Sequence, residues 1–159
     1  MTHSCNADRT RTIQSFVALR YSQVFHLVRE PLAAMRAISG YGQTEWSTVR
    51  DLIGFDMAKY ANPRLCALHF YVIWNQLIEL VADWRFRVED TPVTELCTRA
   101  GLECDEVESE SPAHHGAFPA ARGTTPFTWS ELQSLDSDIT ELAKELASTY
   151  GYSTADVVE

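Results

Sequence analysis

Cys66 and His69 stand three residues apart, a spacing that lets a thiolate and an imidazole from one helical turn reach a single zinc ion. A closed tetrahedral site needs two more ligands, and the other candidates, Cys97, Cys104, His114 and His115, form no second Cys/His pair of that kind. At 100° per residue, Cys66 falls on the apolar side of its helix, about 60° from His69. The ordinary outcome of that spacing is a buried thiol beside an exposed imidazole. A second constellation lies on the same segment: His69, Gln76, Asp83 and Arg87 follow at seven, seven and four residues, with Asn75 and Glu79 alongside. Residues so spaced share one helix face, and Asp83 with Arg87 reads as an i,i+4 ion pair. Facing a cavity, His69 with Glu79 or Asp83 would work as an acid–base pair or bind a metal. On one helix, however, His69 and Asp83 lie about 21 Å apart, too far to share a ligand. A solvated polar stripe is the plainer reading.

Other chemistry is only half present. His26 and Glu30 are i,i+4 neighbours on an expected first helix, half of a helical-bundle metal site, but the Glu-x-x-His pattern of such sites is missing. The Glu79/Asp83 pair resembles part of the acidic metal site of helical pyrophosphatases, though one pair does not make that site. The chain has no phosphate-gripping glycine loop, no Gly-x-Ser-x-Gly and no His-Glu-x-x-His. We therefore assign no catalytic residue, no metal ligand and no cofactor from the sequence. A metal-dependent helical-bundle enzyme on the central helix is the alternative reading. Leu146, Ala147, Gly151, Tyr152 and Val157 fall in a pattern similar to a helix-turn-helix, but no Lys or Arg follows Ser148. Gly151 reads instead as the left-handed residue that ends the last helix.

The charge layout is more informative than any motif. The chain of 159 residues carries 22 acids and 13 bases, a formal charge of −9. Residues 1–87 hold ten bases against seven acids, net +3, whereas residues 88–159 hold three against fifteen, net −12. The acids concentrate in a loop cluster, Glu103, Asp105, Glu106, Glu108 and Glu110, and on the last helix as Asp136, Asp138, Glu141 and Glu145. Such a surface repels phosphate backbones, steers cationic partners toward itself, and imitates the regular charge of a nucleic acid. Acids on a solvated helix face also simply aid solubility. Direct nucleic-acid binding is not expected of it, since that requires cationic surface.

These residues need a scaffold, and the sequence specifies a helical one. Hydrophobic residues make up 45% of the chain and charged ones 22%, and a chain of this length buries roughly 70% of its unfolded surface, enough for a core without staples. Ile13, Phe16, Val17, Val24, Leu27 and Val28 mark a first amphipathic helix, broken at Glu30-Pro31, with a kink or new helix over Pro31 to Ser39. Thr44 is placed to cap a helix carrying Trp46, Val49, Leu52, Ile53 and Met57. Asn62-Pro63 opens a long central helix, roughly Pro63 to Val88. Thr91-Pro92 opens a short one that Gly101 closes. Residues 102–126, with three prolines and two glycines, read as a long mobile loop, which in a compact domain is usually functional. Thr128-Trp129-Ser130-Glu131 is a capping box that begins a final helix with Leu132, Leu135, Ile139, Leu142 and Leu146 on one stripe. No segment alternates convincingly enough for a strand.

The expected fold is thus all-α: one domain, 1–159, of five or six helices around the central one. No stretch reads as a membrane span or secretory signal, and the cysteine spacing suggests reduced thiols, so a cytoplasmic setting is expected. The expected function is non-enzymatic. The acidic surface would bind a basic, nucleic-acid-handling protein, as an inhibitor, immunity protein, anti-defence protein or nucleic-acid mimic does. A structural homodimer through the last helix is a further alternative.

Overall fold

A computed structural model describes residues 23–103 and 126–156. Helices account for 61% of them, and the remainder includes a two-stranded parallel sheet. The chain runs β1 (Phe25–Val28), α1 (Pro31–Ser39), α2 (Gln43–Ile53), a 3-10 turn (Met57–Lys59), α3 (Pro63–Glu79), β2 (Trp84–Arg87), α4 (Val93–Ala100), α5 (Trp129–Leu135) and α6 (Ser137–Thr149).

Local signals set most of these boundaries. Pro31 starts α1, whose first amides are taken by the Glu30 carboxylate, from Leu32 at 3.1 Å and Ala33 at 2.5 Å. Asn62 caps α3 by accepting from the Arg64 amide at 2.9 Å, with Pro63 in the position where its missing N–H costs nothing. Thr128 and Glu131 form the expected capping box on α5. Gly101 and Gly151 take φ of 68° and 78°, a conformation that favours glycine, just past α4 and α6. The expected cap at Thr44 is not made: α2 starts at Gln43, after Gly42, without a side-chain cap.

The structure corrects the all-α expectation in two places. Phe25–Val28, read as part of a first helix, is a strand, and the expected central helix stops at Glu79 so that Trp84–Arg87 forms a second strand. The strands pair in parallel, Phe25 with Trp84, His26 with Arg85, Leu27 with Phe86 and Val28 with Arg87. Successive side chains on a strand point to opposite faces. His26 and Val28 turn inward while Leu27 turns out, an alternation too short to outvote the helical spacing around it. The remaining first-helix positions, Ile13, Phe16 and Val17, lie outside the described residues, as does nearly all of the 102–126 loop. The expected final helix is also broken in two, at Asp136, where φ of −158° and ψ of 101° leave helical geometry.

Helix α3 packs against α1, α5 and α6. Their shared core holds Met35, Ala67, Leu68, Leu132, Ala143 and Ala147, all with no exposed surface. A chain of rings, Trp46, Phe55 and Phe70 with Tyr60 beyond, seals the α2 side. Burial pushes the Cys66 thiol up to about 11, leaving it un-ionised near neutral pH. Cys66 is free, but Cys97 takes part in a disulfide, contrary to the expectation of reduced thiols. Among the described residues no helix is long and apolar enough to cross a membrane.

Candidate functional site

Helix α6 is held from beneath. Thr140, Ala143 and Ala147 are completely buried, and Ile139 and Leu146 pack against the same core. What is left outside is a strip of Asp138, Glu141, Leu142 and Glu145. These positions fall within a third of the helical circumference and span about 10 Å of its axis. All four are exposed, Leu142 by 37%. The helix has one base, Lys144, whose ammonium donates to Glu141 at 3.0 Å and to Gln133 Oε1 at 3.0 Å. The outward carboxylates are thus neutralised at one position only by their own helix.

Asp136 does not belong to this strip. Its Oδ1 accepts from the Ile139 amide at 3.1 Å, capping α6, and its Oδ2 meets His69 Nε2 at 3.1 Å. Besides the part in a partner surface expected of it, Asp136 has this structural one, because an aspartate at a helix start satisfies an otherwise free amide. Glu103 is exposed at the edge of the described residues. Asp105, Glu106, Glu108 and Glu110 lie outside them.

The polar stripe expected on the central helix is dispersed. His69 joins Asp136 and packs on the Tyr60 ring at 5.0 Å. Gln76 is exposed. Asp83 and Arg87 lie beyond the end of α3, so their i,i+4 pairing, which needs a helix, is not made. Asp83 accepts from the Val24 amide at 2.8 Å instead, and Arg87 lies 3.0 Å from Asp90. His26 and Glu30 are likewise not neighbours on a helix, since one is on a strand and the other caps α1. Cys66 is 1% exposed, as expected, whereas His69 is not the exposed imidazole its spacing implied but a partly buried one, 20% exposed and held by Asp136. Among the described residues no group of three or more His, Cys, Asp or Glu side chains is placed to hold a metal ion.

The sequence reading missed the polar centre that the structure builds. His26 Nδ1 lies 2.7 Å from Glu79 Oε1, and Arg85, its neighbour across the sheet, donates to both oxygens of the same carboxylate. Burial works against ionisation of Glu79, but the hydrogen bonds and charges of Arg85 and His26 prevail and hold its carboxyl below the usual carboxylate range. Tyr150, just past α6, sets its ring edge-on to His26 at 5.5 Å and beneath the Arg85 guanidinium at 4.8 Å. Burial, followed by the charge of Glu79, raises the Tyr150 hydroxyl above the ordinary phenol range. No spacing rule joins these four residues, because they come from β1, α3, β2 and the end of α6.

The tail is tied down nearby. The Tyr152 hydroxyl donates to Glu89 at 2.5 Å, and the other Glu89 oxygen accepts from the Glu30 amide at 2.9 Å. Asp156 accepts from the Trp129 amide at 2.5 Å and the Ser130 amide at 3.2 Å, at the start of α5. A groove of about 420 Å³ also opens between β1, α1, α2 and α3. Its walls are mainly apolar, including Ile38, Val49, Phe70 and Trp74, and among the described residues Arg29 is the one charged side chain lining it. It offers no acid–base pair.

No family model, curated protein or solved structure matches the chain.

Proposed function

We propose that this chain is a non-enzymatic binding protein that presents the outward carboxylates of α6 to a basic protein surface, one that otherwise handles nucleic acid. On this reading it acts as an inhibitor, immunity protein, anti-defence protein or nucleic-acid mimic. The observation that carries the reading is the α6 strip: Asp138, Glu141 and Glu145 face outward on a helix whose opposite face is anchored in the core. A rigid presentation reduces the ordering cost of association, and like-signed charges on it speed encounter with a cation. Leu142 supplies an apolar contact amid the charges.

The charge density sets what else is required. Three carboxylates over about 10 Å of helix are sparser than a duplex, which carries one charge per about 1.7 Å of its axis. Mimicry of a nucleic acid therefore also enlists the acidic segment Glu103, Asp105, Glu106, Glu108 and Glu110. A helical bundle assembled around α3 belongs to the same proposal, as does a cytoplasmic setting, which rests on the lack of a recognisable span or signal in the sequence and not on reduced thiols. The dispersal of His69, Glu79 and Asp83 into separate contacts favours binding over metal-dependent catalysis.

The test uses two neutralised variants. One carries Asp138→Asn, Glu141→Gln and Glu145→Gln; the other replaces Glu103, Asp105, Glu106, Glu108 and Glu110 with their amides. Asp136 is left intact, since its loss would disturb the helix itself. A partner captured from host extract is identified by mass spectrometry and titrated against each variant at low and high salt. Weaker binding in the variants, and in wild type as salt screens the charges, is expected. Affinity unchanged in both variants and insensitive to salt overturns the proposal.

A further inference from the structure

The His26 side chain is 3% exposed, and both of its ring nitrogens meet oxygen atoms. Nδ1 faces Glu79 Oε1 at 2.7 Å and Nε2 faces Asn75 Oδ1 at 3.0 Å. The Asn75 amide is oriented by its other end: Nδ2 donates to the Tyr71 carbonyl at 2.7 Å, a contact that only an N–H satisfies. Its oxygen is therefore the atom turned to the ring. Glu79 is ionised, gripped by Arg85 through both oxygens, and a carboxylate only accepts. A neutral imidazole has one N–H and would leave a bare lone pair against one of these oxygens. The arrangement is satisfied only by the ring with both N–H groups.

We infer that His26 is a proton-operated latch: the doubly protonated ring clamps β1 to the C-terminal end of α3, and loss of one ring proton releases the strand. The groups facing the ring are Asn75 and Glu79 from α3, Arg85 from β2, and the Tyr150 ring beyond α6. Arg85 keeps its charge at every physiological pH. With Glu79 held ionised and Arg85 charged, the proton that can leave the cluster is one of the two on the imidazole ring. Asn75 cannot rotate to rescue a bare nitrogen without giving up Tyr71. The clamp is thus present when the ring is protonated and lost as pH rises. Among the described residues β1 pairs with β2 alone. Its other holds are the Val24 and Glu30 amides on Asp83 and Glu89, the Tyr152 hydroxyl on the Val28 carbonyl, the buried Val28 side chain and the Phe25–Phe86 ring contact. The clamp adds to them at the one buried polar position of the strand.

The test is nuclear magnetic resonance on the full chain with labelled histidine, paired with hydrogen exchange read as protection factors. Both His26 nitrogens are expected to carry protons wherever the Phe25–Val28 amides are protected. As pH rises and one proton leaves, protection of those amides falls about tenfold or more, the effect of losing a charge-assisted hydrogen bond. Amides of α6, such as that of Ala143, lose less. In His26→Gln the β1 amides no longer show this pH dependence. A bare ring nitrogen while β1 is fully protected overturns the latch. So does β1 protection that ignores pH, or that follows pH equally in His26→Gln. Should that variant fail to fold, the ring-nitrogen measurement on wild type decides alone.

Discussion

Replacing Glu79 with glutamine keeps the volume at the end of α3 but removes the charge that two cations share. The new amide still accepts from His26 through its oxygen, but its nitrogen turns a donor toward Arg85, which is itself a donor. Arg85 is 35% exposed, so water takes up much of its loss, and that half of the change is worth about 0.5–1 kcal/mol. His26 is 3% exposed and has no such recourse. Replacing its ion-pair partner with a neutral acceptor weakens that bond at a cost of about 1–1.5 kcal/mol. The sum is about 2 kcal/mol, a large share of the roughly 5–15 kcal/mol that holds a domain together. Urea denaturation near neutral pH measures it as a lower midpoint with an unchanged slope. The pH dependence supplies a second check. The folded carboxyl sits below the usual range, so its stabilisation is present above the ordinary glutamate value, about 4.3, and is lost as pH falls through the folded value. Wild type and variant should therefore converge in acid. A gap under about 0.5 kcal/mol at neutral pH, or one that persists undiminished in acid, would refute the assignment of Glu79 as the shared anion.

Two further substitutions separate scaffold from surface. Asp136→Ala removes the cap of α6 and the partner of His69, and thermal or urea unfolding should show a loss of about 1–2 kcal/mol. Asp138→Asn, two residues away but exposed, should change stability by less than about 0.5 kcal/mol in the same measurement. Leu132→Ala empties a site with no exposed surface where α5 meets α3 and α6; a loss of about 2–5 kcal/mol is expected, read by the same denaturation.

Where the sequence was legible, the determinant was local. Asn62-Pro63, the Thr128–Glu131 box, and the glycines after α4 and α6 act through hydrogen bonds or dihedrals within a few residues, so a linear reading finds them. The sheet was not legible, because what makes Phe25–Val28 a strand is a partner 59 residues along the chain. The same distance hides the polar centre, as no pattern in the chain links His26 to Arg85. The break at Asp136 was missed for another reason. The apolar spacing from Trp129 to Leu146 continues through it, and periodicity registers which face is buried, not whether the axis is continuous. A signal was available: aspartate is a preferred capping residue, and Ile139 lies three positions on. On α6, Asp138, Glu141 and Glu145 are exposed as expected, but Leu142, which its spacing assigned to the apolar stripe, is exposed among them, and Leu135 before the break is exposed too. The smaller Thr140, Ala143 and Ala147 face the core instead.

The pairing of β1 with β2 also bears on how the molecule acquires its shape. Every rung of that ladder closes a loop containing three helices, and closure entropy must be met before any rung repays it. The α5–α6 hairpin, by contrast, joins neighbours separated by one residue. Helices should therefore dock early and the ladder should zip late. During synthesis from the N-terminus, β1 emerges before β2 and waits for α1, α2 and α3 before its mate exists. For that interval Phe25 and Leu27 travel as an unmated edge, the stage at which a second nascent chain would be their nearest competitor.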